Sequence, residues 1–340
     1  MVRIGIAGIG FMGVTHYNAI RKVKGARVTA IFTRSPKKLR GDWRDVQGNF
    51  GDGGGVQDLS AIRCHGSLEE LLHDDQVDVV HNCLPTPLHL SSTMAALGAG
   101  KHVFLEKPIA VSLHDADLML AEARRQRRLF MVAHVLRFFP EFRLIKELAA
   151  GRRFGAVRAA HFKRVTAYPK WRDADDIVES GGPAIDLHIH DCDFVRFLFG
   201  NPQAVTSNGL VSRRGIVEHV HTHYHFAGRP MAISSESGWL SQQGCPFEHG
   251  YDVYFADATL KFNSTWGRPP VLLTADGKTR QPRLPGRKDA FVGEIQDAVD
   301  ALSKGKTSPT LSALSGRESL RLCLKEIESV RRQKKVNLKK

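Results

Sequence analysis

Only five cysteines occur among the 340 residues (Cys64, Cys83, Cys192, Cys245 and Cys323), and no two form a Cys-x-x-Cys pair. Their odd number and wide spacing argue against a disulfide framework or a zinc centre. They read as reduced thiols in a cytoplasmic protein. Long apolar runs are also missing, and no segment reaches the roughly 20 apolar residues that a membrane-crossing helix needs. Residues 4–20 lack Asp, Glu, Lys and Arg, as the apolar part of a leader does. Three glycines at fixed spacing, with Tyr17 and Asn18, argue against that reading. Acidic side chains are in short supply: 49 Lys and Arg against 35 Asp and Glu give a formal charge of +14. Such a balance favours an anionic partner. With no basic-aromatic motif present, nucleic acid is set aside in favour of a small molecule. Repeats and low-complexity segments are absent.

What is present is a change of rhythm along the chain. Up to about residue 135, short apolar runs (2–8, 27–33, 77–84, 102–107 and 129–135) alternate with amphipathic stretches (67–74, 89–100 and 114–126). Strand–helix alternation of this kind predicts a doubly wound parallel sheet. From residue 136 onward, strand-like runs at 156–165, 204–211, 217–226, 230–238 and 251–262 are separated only by turns. They predict a large, mostly antiparallel open sheet with one face packed. Helical patterns return at 289–305 and 315–333. The reading is an α/β protein with two domains. Residues 1–135 form a dinucleotide-binding Rossmann domain. Residues 136–340 form an α+β domain whose open sheet leaves one face available to a partner, and its last helices can pack back on the first.

The sequence GIGFMG, residues 8–13, follows the first strand and opens a helix. Gly8 serves the tight turn, Gly10 the close approach of a pyrophosphate and Gly13 the packing of helix on strand. The amides of Phe11 and Met12 stand at the helix N-terminus, where phosphates bind. The second strand ends in Thr33, Arg34 and Ser35, followed by Lys37 and Lys38. A carboxylate for a ribose 2′-hydroxyl is missing there, whereas a guanidinium and hydroxyls suit a 2′-phosphate. NADP is the preferred cofactor, with NAD as the alternative. LEKPI, residues 105–109, ends another strand of the same sheet. Pro108 restricts the backbone of Lys107, which presents the ammonium at the edge where ligands of such sheets bind.

GIGFMG, NCLPTPLH (82–89), EKP (106–108), the Arg137–Phe138–Pro140 segment and SGGPAIDLHIHDCDFV (180–195) together resemble the Gfo/Idh/MocA oxidoreductase family, in order and over nearly the whole chain. The resemblance implies a catalytic set of Lys107, Asp186 and His190. The histidine is the acid/base on the reacting hydroxyl, the lysine polarises its oxygen, and the aspartate orients substrate or histidine. It places Leu84, Thr86, Pro87, His89, Glu106 and Lys107 near the cofactor, with Lys107 also reaching the substrate and Trp171 and Arg172 reaching toward the nicotinamide. Arg137, Tyr168 and Asp173 are candidate substrate contacts. The implied activity is an NAD(P)-dependent dehydrogenase or reductase acting on a sugar, cyclitol or related polyol. It also implies a homo-oligomer, dimer or tetramer, built through the C-terminal sheet. The alternative is a regulatory protein of the same fold that binds dinucleotide and sugar without turnover.

Residues 217–226, VEHVHTHYHF, place His219, His221, His223 and His225 on one face of a strand. Imidazoles at that spacing can hold a metal. No carboxylate or thiolate pattern accompanies them in the sequence, so a subunit contact or solvated ladder is the preferred reading and no metal is expected.

Overall fold

The computed structural model describes residues 1–48, 53–169, 174–286 and 289–338. The chain forms two compact units, Met1–Val135 with Asp289–Arg317, and Leu136–Lys288 with Glu318–Lys340.

The first unit begins β1 (Val2–Ala7), α1 (Phe11–Ile20), β2 (Ala26–Phe32), α2 (Pro36–Leu39) and β3 (Arg63–His65). It continues α3 (Leu68–His73), β4 (Val79–Asn82), α4 (His89–Gly98), β5 (His102–Leu105), α5 (Leu113–Arg125) and β6 (Phe130–Val132). All six strands are parallel, in the order β3-β2-β1-β4-β5-β6. The order reverses between β1 and β4, which is where doubly wound sheets open a ligand crevice at the carboxyl ends of their strands. The strands are covered on both faces. Ile4, Ile6, Ile31, Val79, Val103 and Phe104 are all fully buried, as continuous apolar runs in parallel sheets require. Hydroxyls of Ser67 and Ser112 accept the amides of Glu70 and Asp115 and so start α3 and α5.

In the second unit come α6 (Pro140–Gly151), β7 (Val157–Ala167), α7 (Ala174–Glu179), α8 (Pro183–Asp186) and α9 (Ile189–Phe199). There follow β8 (Ala204–Val211), β9 (Val217–His225), β10 (Ala232–Ser241), β11 (Glu248–Phe255), β12 (Ala258–Asn263), β13 (Val271–Thr274) and β14 (Thr279–Arg280). Helix α10 (Ala290–Ser303) belongs to the first unit, α11 (Ala313–Arg332) runs into the second, and β15 (Val336–Asn337) closes the chain.

The second sheet has nine strands, β14-β13-β12-β11-β7-β10-β9-β8-β15. One pairing departs from the antiparallel rule. Strands β7 and β10 run parallel, because three helices and two strands separate them and return the chain to the same end. The apolar run 251–262 is two strands rather than one, folded as a hairpin that pairs Tyr254 with Thr259. Val220, Thr222, Tyr224, Ile233 and Ser235 form the covered face. Phe142 anchors the core, with Phe194 and Tyr251 edge-on at 5.1 and 5.2 Å.

Candidate active site

Three loops of the first unit meet at the switch point. Gly8 has φ +94°, and a Cβ there would lie 3.0 Å from the Cys83 carbonyl oxygen. A Cβ on Gly13 would fall 1.9 Å from the Gly8 carbonyl, so α1 packs against the glycine turn itself. At Gly10 a Cβ would touch nothing within 4 Å, and the space above it is open. One glycine turns, one packs and one leaves room, as a pyrophosphate at a helix N-terminus requires. Phe11 and Met12 open α1 half-buried, and the Phe11 ring packs against Gly48.

Basic charge surrounds this turn. The Lys38 ammonium donates to the Ile9 carbonyl at 2.9 Å, and Arg34 is exposed beside it in the chain. Thr33 is buried and accepts the Ser35 amide, while Ser35 caps α2 by accepting the Lys38 amide. Both hydroxyls keep their own proton to donate. No Asp or Glu occurs between Phe32 and Arg40.

The loop after β4 is fastened from below. Buried Asn82 donates to Ser92 Oγ at 2.7 Å and accepts the Leu84 amide. The side chain of Leu84 lies against Gly8. Thr86 and Pro87 begin a 3-10 turn, half-buried and exposed respectively. His89, expected near the cofactor ribose, points inward. Its ring nitrogens lie 2.8 Å from the Pro108 carbonyl and 3.0 Å from that of Leu84. Burial lowers its pKa, so the neutral ring donates to one carbonyl at a time and ties the two loops together. It supports the site rather than facing it.

The third loop is the LEKPI turn. The Lys107–Pro108 peptide is cis. Glu106 is buried and Lys107 half-buried. The Glu106 carboxylate accepts the Lys107 amide at 3.2 Å through Oε2, and its Oε1 lies 2.9 Å from His16 Nε2. His16 lies on α1, fully buried. Nothing in the motif reading singled it out, although a lone imidazole on the buried face of the dinucleotide helix was visible in the sequence.

In the second unit, Asp186 is the last residue of α8 and His190 the second of α9, both half-buried. They stand on two short helices rather than one. The His188 amide reaches back to the Pro183 carbonyl and that of His190 to Leu187, so the chain stays right-handed through the break. Arg137, a candidate substrate contact, is buried. Its guanidinium forms a two-pronged pair with Asp193 through Nε and Nη2 and lies 5.0 Å over the Phe197 ring. Tyr168 is exposed, stands edge-on to Trp239 at 5.4 Å, and borders a cavity of about 240 Å³ shared with Arg213 and Glu218. Trp171, Arg172 and Asp173 lie outside the described residues.

The four ladder histidines do alternate with buried Val220, Thr222 and Tyr224. A carboxylate accompanies them after all: Glu236 of β10 lies 3.4 Å from His219 and 4.0 Å from His161. Sequence spacing missed it because strand partners are remote in the chain. Among the described residues, the group of three potential metal ligands in mutual reach is His188, Cys192 and Glu326, all buried in the second unit. Among them too, no helix is long and apolar enough to cross a membrane.

A six-stranded doubly wound sheet with an open glycine cradle, joined to a nine-stranded sheet domain, defines a dinucleotide-binding oxidoreductase architecture. Residues 2–134 match the oxidoreductase family with an NAD-binding Rossmann fold, and residues 142–261 match the GFO/IDH/MocA C-terminal domain. The chain belongs to the Gfo/Idh/MocA oxidoreductase family. It is 25% identical over 353 residues to myo-inositol 2-dehydrogenase of Thermotoga maritima, covering 99% of this chain and 98% of that one. The oxidoreductase YrbE of Bacillus subtilis is 28% identical over 198 residues, 58% of this chain and about half (53%) of that protein. A levoglucosan dehydrogenase solved with NADH and levoglucosan superposes with a TM-score of 0.80 at 19% identity, covering 100% of both chains; that likeness concerns the fold.

Proposed function

We propose that the protein is an NADP-preferring dehydrogenase or reductase that interconverts a secondary alcohol and a ketone on a sugar, cyclitol or related polyol. The observation that carries this is the carboxyl edge of the first sheet. There the open Gly10 cradle, the loop after β4 and the Lys107 turn surround the strand-order reversal. The substrate class rests on the myo-inositol 2-dehydrogenase to which the chain is similar over 99% of its length.

The glycine turn, Arg34 and Lys38 hold the dinucleotide, and Glu106 helps to position it. A bound nicotinamide would supply the acceptor for a hydride from the substrate carbon, or the donor in the reverse direction. Lys107, Asp186 and His190 are the proposed catalytic residues. His190 accepts the hydroxyl proton, a task that suits imidazole near neutral pH. The Lys107 ammonium stabilises the charge that develops on that oxygen, and Asp186 orients the imidazole or the substrate. Arg34, free of any competing carboxylate in its turn, selects the 2′-phosphate. The protein acts as a homo-oligomer through its large sheet.

The test is turnover of NADP⁺ and, separately, NAD⁺ by the purified protein over aldoses, inositols and sugar acids. Reduction with NADP⁺ and one substrate class supports the reading. Reduction with NAD⁺ alone overturns the role of Arg34.

A further inference from the structure

His16 links the helix that opens the cofactor site to the turn that carries Lys107. Its Nε2 lies 2.9 Å from Glu106 Oε1 and its Nδ1 3.2 Å from His81 Nδ1. The ring stacks on Phe104, centroids 5.8 Å apart. Glu106 in turn accepts the Lys107 amide. A helix packed on a parallel sheet asks only for an apolar residue at this position. The chain instead buries an imidazole completely and aims it at a carboxylate that is itself only 6% exposed. A buried carboxylate is costly unless paired, and the side-chain partner of Glu106 among the described residues is His16.

We propose that His16 is a positioning residue for the Lys107 turn: it fixes the Glu106 carboxylate, and that carboxylate holds the Lys107 amide. The inference rests on the role given to Lys107 above. Electrostatics agree with it. Burial alone would discharge His16, yet the neighbouring Cys83 and Glu106 hold its pKa well above the ordinary histidine range. Of the two, Glu106 is the carboxylate, with its Oε1 2.9 Å from Nε2. His81, buried against it, is pushed well down by burial and by His16 and stays neutral. The pair is sealed under the strand end, with His16 fully buried and Glu106 nearly so.

The test compares His16→Leu with His16→Gln, which keeps a donor for Glu106, in wild-type and Glu106→Gln backgrounds. Amide exchange at Lys107 is the readout that needs no turnover. It is expected to quicken in His16→Leu and to stay near wild type in His16→Gln. Turnover with NADP⁺ and the active polyol is expected to fall about 10- to 100-fold in His16→Leu, the scale of a small misplacement of a catalytic group. The KM for the polyol should change little, and Glu106→Gln should abolish the difference between His16 and Leu. Unchanged exchange at Lys107 in a folded His16→Leu protein overturns the proposal. So does an equal loss in both His16 variants, which marks a packing role. If Lys107→Ala keeps full turnover, the reading of Lys107 fails and this one with it. If Lys107→Ala is inactive while His16→Leu is normal, the positioning role alone fails.

Discussion

Each unit buries one histidine against one carboxylate, and the two pairs differ in what lies around them. His16 and Glu106 sit under the carboxyl edge of the first sheet, one residue from Lys107. His188 and Glu326 sit in the core of the second unit, both at 0% exposure. The second pair continues through Ser237, which accepts from His188 and donates to Asp191, which is bound in turn by Arg164. With Ser237 and Glu326 both accepting, His188 must donate from both nitrogens, and its pKa is raised: burial opposes the charge and Glu326 overcomes it. The same chemistry thus serves a turn at the cofactor edge in one unit and interior cohesion in the other. Placement, rather than residue type, separates a site group from a core group.

That contrast can be broken in order of size. Lys107→Ala and His190→Ala should each lower turnover by roughly 10²- to 10⁴-fold with little change in melting temperature; steady-state rates and a thermal melt on the same samples check both halves. In the other unit, His188→Leu should destabilise the fold by about 3–5 kcal/mol, because it strands a buried carboxylate. Adding Glu326→Leu should restore part of the loss, as denaturant titration of the single and double variants will show. A double variant no more stable than the single one contradicts the pairing. Arg34→Ala should weaken NADP⁺ by roughly 10- to 100-fold while leaving NAD⁺ unchanged, the value of one charged hydrogen-bonding group; an equal change for both cofactors removes Arg34 from the discrimination.

A pH-dependent effect concerns a third histidine. His249 is caged by Phe139, Phe142, Phe247 and Phe262, and burial lowers its pKa from 6.5 to about 3. Between those values the unfolded chain binds the proton and the native state does not, so stability falls as pH falls, by roughly 1.4 kcal/mol per pH unit at most. His16 and His188 act in the opposite sense. Their stabilisation is complete below the ordinary histidine pKa and is lost as pH rises through the raised native value. A His249→Phe variant that loses stability as steeply as wild type below pH 6.5 would refute this assignment.

Much of the first unit was legible in its sequence, because what matters there is backbone. A glycine that must turn, a glycine that must pack and apolar runs at strand length are local signals, and the parallel sheet followed from them. The second unit was harder. Strands β13, β14 and β15 span four, two and two residues, too short for alternation to register, and the parallel β7–β10 pairing depends on a long crossover. Side-chain partners went unread where they were remote. Arg137 meets Asp193, and His16 meets Glu106 across 90 positions. Spacing rules see three or four residues along a helix, and these pairs are made by the fold.

The most direct measurement is NADPH binding, by fluorescence, together with steady-state turnover over the polyol panel, for wild type and Lys107→Ala. The account predicts equal cofactor affinity in both proteins and turnover lost by at least 100-fold in the variant. A wild type that binds no NADPH, or a variant that turns over at the wild-type rate, would contradict it.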